Sequence, residues 1–274
     1  MANELPSFRN PPLIETAVSV LFKPIPSLSN AQLSLIWNDK FRTDFPKTLD
    51  AEPITAQAES FSPNPLPMAR LPKFRFATGE SASRLQMVAE DDQEMIQIQN
   101  GRLVYNWRRM SDGKYPRWEN LQPRFLTAWN KFLEFVNEQK LGTINPIHWE
   151  VVYVNHLEKG SVWNEMSDLG SILPSIIGSG VPGNIGRADS ISSNWNLLLP
   201  KNHGRLYLEL SHGCISADDD SQELMILKLT ARGNLDSDCT TDQVIENISI
   251  GRSSIVNLFT EVTSPDAHKL WELE

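Results

Sequence analysis

Apolar and polar residues alternate from 13 to 22, with Ile14, Thr16, Val18 and Val20 on one side and Glu15, Ala17 and Ser19 on the other. That period of two is the signature of a strand with one buried face. Pro24 and Pro26 close it, and Ser29 or Asn30 can cap a helix in which Leu33, Ile36, Trp37 and Phe41 recur at helical spacing before Pro46. Past residues 53–60 and a proline-rich loop at 63–72, the pattern predicts strands near 74–76 and 85–89, and Asp91-Asp92 marks a turn. Alternation resumes at 95–99, Asn100-Gly101 is a hairpin signal, and 103–107 supplies the returning strand. A helix over 119–139 closes the series, with Phe125, Trp129, Phe132, Leu133 and Val136 along one side.

The second half repeats this order. Asn145-Pro146-Ile147-His148-Trp149-Glu150 opens a strand as Asn10-Pro11-Pro12-Leu13-Ile14-Glu15 does, at an offset of 145 − 10 = 135 positions. This strand, 148–156, is apolar on both faces and belongs inside a sheet. A helix over 167–177 follows, then strands at 193–199 and 205–210, and the run 219–226 echoes Asp91 to Ile96. The closing helix, 240–263, buries Val244, Ile248, Ile255, Val256 and Phe259. The predicted fold is α+β. Two fused strand-helix-meander-helix repeats, 1–143 and 144–274, form one pseudo-symmetric body with a curved antiparallel sheet and its long helices on one face.

At 274 residues with 40% hydrophobic and 22% charged content, the chain is long enough for a substantial core and ordinary for a globular protein. No stretch reaches the ~20 apolar residues that span a bilayer, and the start carries no secretory pattern, so a cytoplasmic protein without membrane contact is expected. Cys214 and Cys239 are the only cysteines, too few for a disulfide framework. A net charge of −9 opposes non-specific nucleic-acid binding. Locally, however, Arg102, Arg108, Arg109, Lys114, Arg117 and Arg124 crowd around Trp107, Tyr115 and Trp118, a basic and aromatic set suited to stacking on single strands.

The candidate chemistry is sparse. Residues 178–183 match the G-x-G-x-x-G pattern, but the preceding segment reads as helix and Pro182 interrupts the run, so a connector is the better account. His212, Cys214 and the aspartates at 218–220 could gather at a hairpin, yet three adjacent aspartates in a turn are ordinarily solvated, and neither a metal nor another cofactor is expected. Glu15 and Glu150 hold equivalent places in the two repeats. They could face each other as a carboxylate pair with split pKa values, although a glutamate there more often pairs with an arginine. No catalytic set stands out.

The opening motif Asn10 to Glu15, the element Tyr115-Pro116-Arg117-Trp118-Glu119 and the closing stretch 255–271 with His268 and Trp271 give a resemblance to a family. The chain resembles a sporadically distributed family of uncharacterised bacterial proteins with the opening motif Asn-Pro-Pro-Leu-Ile/Val-Glu, and the likeness spans nearly its whole length. The family's patchy distribution implies a role in accessory systems such as phage defence or toxin-antitoxin modules. The leading expectation is a non-enzymatic, antitoxin-like interaction protein that binds another protein. A ligand-binding or enzymatic pocket on the concave sheet, and a nucleic-acid binder using the basic aromatic hairpin, are the alternatives. Candidate binding residues are Glu15, Glu150, Trp107, Arg108, Arg109, Tyr115, Arg117, His268 and Trp271.

Overall fold

The structure, a computed structural model, describes residues 5–55, 83–110, 113–178, 186–217, 220–236 and 238–274. Among them nine strands form one antiparallel sheet in the order β2-β3-β4-β5-β1-β6-β9-β8-β7. The strands are β1 Leu13–Phe22, β2 Lys47–Ala51, β3 Arg84–Val88, β4 Glu94–Gln99, β5 Arg102–Arg108, β6 Pro146–Glu158, β7 Ser192–Leu198, β8 Arg205–Ala217 and β9 Asp220–Asn234. The helices are α1 Asn30–Ile36, α2 Trp118–Glu138, α3 Leu169–Ile172, α4 Pro174–Ile177, α5 Thr241–Val262 and α6 Pro265–Leu270. The fold is α+β with a curved sheet, and none of its helices is long and apolar enough to cross a membrane.

Outward from the central β1–β6 pair the order runs β5, β4, β3 on one side and β9, β8, β7 on the other, with β2 added at one edge. Ala17 stands opposite Val152, and 152 − 17 = 135 is also the spacing between the two Asn-Pro motifs. A single sheet therefore joins both halves of the chain.

The strong sequence signals produce the expected elements. Asn100-Gly101 turns the β4–β5 hairpin with Gly101 at φ +107°, a conformation that suits glycine. The Asn100 amide accepts from Ile25 N at 2.8 Å and donates to the carbonyls of Ile25 and Leu28, which ties the hairpin to the loop after β1. Helix α5 begins at a capping box, where Thr240 Oγ1 accepts from Gln243 N and Gln243 Oε1 accepts from Thr240 N.

Weaker signals misplace elements. The expected helix over 167–177 is instead a 3₁₀ turn followed by α3 and α4, because Pro174 cannot continue the α3 hydrogen-bond ladder. Strand β2 carries no apolar alternation because four of its five residues are exposed at a sheet edge. The strand expected near 74–76, the proline-rich loop at 63–72, residues 179–183 of the glycine run and residues 218–219 lie outside the described residues.

Helices α2 and α5 cover one face of the sheet. From α2, Phe132 and Trp129 pack on Phe22 of β1, with ring centroids 5.2 and 6.5 Å apart. Each such fully buried aromatic contributes about 2 kcal/mol. Where α5 crosses β6, Gly251 lies directly on the Trp149 indole. Gln122 of α2 donates to Ser249 of α5 at 3.0 Å, so the helices also bind each other.

The opposite face is polar and partly buried. Arg84 donates to Gln97, Gln97 to Asn106 and Asn106 to Glu15, a chain of hydrogen bonds across β3, β4, β5 and β1. Finally, residues 7–10 run antiparallel to 271–274, joined by Arg9 N to Glu272 O at 2.9 Å, Asn10 N to Trp271 O at 3.1 Å and Glu274 N to Ser7 O at 2.8 Å. This clasp closes one end of the layer between sheet and helices.

Candidate ligand cavity

A cavity of about 490 Å³ opens on the helix-bearing face beside the clasp. Three sequence motifs meet there. Pro11 and Leu13 come from the opening motif, Tyr115, Arg117, Trp118 and Glu119 from the second, and Ile255, Val256 and Phe259 from the closing stretch, with Glu274 of the clasp beside them. Tyr153 and Asn155 on β6, Leu229 on β9, and Arg252 on α5 complete the wall.

Tyr115 is placed by the short segment between β5 and α2, its ring edge-on to Trp107 with centroids 5.3 Å apart. Its hydroxyl lies 3.1 Å from that of Tyr153, which points into the same layer because 149, 151 and 153 alternate toward the helices. Burial pushes both phenols above their ordinary pKa, so both hold their protons at neutral pH. The two hydroxyls share one hydrogen bond that either can donate, and Arg252 lines the same space. Arg252 projects from the buried stripe of α5. Its nearest carboxylate, on the exposed Glu119 side chain, is 4.0 Å away.

Arg117 forms the junction between this wall and the clasp. It precedes α2 at φ 69° and ψ 152°, a region that side-chain-bearing residues rarely occupy. Its guanidinium holds that conformation by donating to Ser7 Oγ at 2.9 Å and to the Phe8 carbonyl at 2.8 Å, and Glu274 lies 3.8 Å away. Trp271 is buried against Phe259 and Phe8. His268 shares a hydrogen bond of 2.8 Å with Thr263 Oγ1, and burial lowers its pKa. These two residues anchor the clasp behind the cavity.

The other sequence candidates lie elsewhere. Trp107 is 1% exposed on the core face of β5, so the expected stacking surface is corrected: both faces of this central strand are covered, and no base can reach the ring. Arg108 is exposed, and Arg109 donates to the Pro11 carbonyl at 2.9 Å. Glu15 and Glu150 share the helix-free face but do not face each other. Glu15 lies opposite Val154, four positions from Glu150, a separation of about 13 Å along the strand. Each has its own partners: Glu15 accepts from Asn106 at 3.0 Å, and Glu150 accepts from Arg102 at 2.5 Å with Arg232 at 3.6 Å. The carboxylate pair is thus replaced by two separate structural contacts.

Tyr153 and Arg252 escape a sequence reading that follows only apolar spacing. The available signal is that 248, 252, 255 and 259 share one helical stripe, which places a charged residue where burial is expected. Among the described residues, no three His, Cys, Asp or Glu side chains gather as a metal site. Comparison with protein-family models, curated proteins and solved structures finds no match, so the family resemblance rests on the three motifs alone.

Proposed function

We propose that the protein is a non-catalytic binding protein that holds a small molecule in the cavity between α5, the start of α2 and the clasp. The observation that carries this reading is the meeting of a partly buried phenol pair and Arg252 with apolar walls in a space of about 490 Å³. Ligand pockets are typically of that size and combine apolar lining with a few convergent polar groups. The resemblance motifs converge on this space too, which gives their residue types a common purpose. We read the mirrored strand order as the product of a duplication and the cavity as a place where the halves differ: the second half contributes Tyr153 and Arg252, the first Tyr115 and Glu119.

Titration with anilinonaphthalene sulfonate is expected to show a single saturable site. The Val256→Trp variant, which fills the cavity, should lose it while its circular dichroism and melting temperature stay close to wild type. Equal dye binding by both proteins would reject the cavity as the site. If a partner protein also co-purified equally with both, docking of another chain at the uncharged outer strand β7 would become the better reading.

A further inference from the structure

We infer that the ligand of this cavity is a monocarboxylate with an apolar body, its carboxylate held by the spare hydroxyl of the Tyr115–Tyr153 pair and the Arg252 guanidinium. The inference rests on the reading of the cavity as a binding site and adds the chemical class of the occupant.

Counting donors leads to it. Two phenols 3.1 Å apart carry two O–H groups, and only one of these can lie between the two oxygens. Whichever phenol donates, the other keeps a free O–H, and both residues line the cavity. Arg252 meets the Trp118 ring 6.0 Å from its centroid, but its anionic compensation is weak. Its side chain is 17% exposed, its Nε is buried without a hydrogen-bond partner, and its carboxylate neighbour Glu119 is 73% exposed at 4.0 Å. A guanidinium so far removed from water gains most from an anion that accepts hydrogen bonds directly.

A carboxylate meets both requirements, with one oxygen accepting from the spare phenol hydroxyl and the other from Arg252. A dianion such as a phosphate monoester fits less well. Arg117, the other cation of the wall, is already spent on Ser7 and Phe8, and the carboxylates of Glu119 and Glu274 lie on the same lining. An amine would set its donors against the spare hydroxyl and Arg252. For the body, Leu13, Leu229, Ile255, Val256 and Phe259 offer only apolar surface. At about 30 Å³ per non-hydrogen atom, the space accommodates a molecule of roughly fifteen such atoms.

Isothermal titration calorimetry with decanoate, decanol and decylamine compares one body with three head groups. Decanoate is expected to bind at least about tenfold more tightly than decanol, with decylamine the weakest. In Arg252→Gln, decanoate should fall to the affinity of decanol while decanol itself is unchanged. The double variant Tyr115→Phe with Tyr153→Phe, which removes both hydroxyls, should move decanoate in the same direction, which keeps the test decisive if the arginine variant is unstable. Equal binding of decanoate and decanol by the wild-type protein would overturn the carboxylate assignment and leave the cavity reading intact. Failure of all three probes to bind would overturn the cavity reading itself.

Discussion

Replacing Glu150 with leucine is expected to lower the free energy of unfolding by about 3–5 kcal/mol, the usual loss when one partner of a buried ion pair is removed. Arg102 is 6% exposed, its Nη2 donates to Glu150 at 2.5 Å and more weakly to Ser19 Oγ at 3.5 Å, and its Nε has no hydrogen-bond partner among the described residues. Burial already lowers the pKa of Arg102, and the nearby charges of Arg232 and Arg84 act in the same direction. Without Glu150 the buried guanidinium would face like charges and a leucine. The double variant Glu150→Leu with Arg102→Met should recover more than half of the loss, since an apolar pair of similar volume costs little in such a place. Urea denaturation followed by circular dichroism measures both. A single-variant loss below about 1 kcal/mol would show that the pair is hydrated and that the helix-free face is open to solvent.

Gly251→Ala is expected to destabilise the protein by about 2 kcal/mol, opposite in sign to its effect on an isolated helix, where alanine gains about 1 kcal/mol over glycine. A Cβ at 251 would lie 2.2 Å from Cζ3 and 2.8 Å from Cη2 of Trp149, with the Ala231 Cβ at 3.3 Å. The indole cannot retreat. It is fully buried, and on another side Gly233 leaves no spare room, because a Cβ there would come within 2.8 Å of its Nε1. Relief requires α5 to lift from β6, which would also shift Arg252, the next residue, relative to Tyr153. In a Trp149→Leu background the same Gly251→Ala change should become neutral or stabilising. A stabilising effect in the wild-type background would mean that α5 is not seated on the sheet as described.

These two sites show what a linear pattern conveys. The stripes of α2 and α5, the alternation of β1 and the Asn100-Gly101 turn were legible because each is set by residues near one another in sequence. Strand β2 was not, because Lys47 to Ala51 is held only by the backbone ladder to β3 and presents no buried face. Trp107 looked like a surface group because basic residues flank it, but its position in a strand covered on both faces depends on partners far along the chain. Similarly, Glu15 and Glu150 hold matching places in the two Asn-Pro motifs, yet antiparallel pairing carries such residues apart unless they sit at the centre, where Ala17 meets Val152. Of the cavity, Tyr115 and Arg117 were found through their motif. Tyr153 and Arg252 were passed over because burial of a polar group shows only once sheet and helix are assembled.

The most direct test of the binding role is a crystal structure of the wild-type protein grown with decanoate. Density for one chain is expected along Leu229, Ile255 and Val256, with its carboxylate within hydrogen-bonding distance of Arg252 and of the Oη of Tyr115 or Tyr153. A cavity filled by its own side chains, or decanoate bound only elsewhere on the protein, would contradict the account.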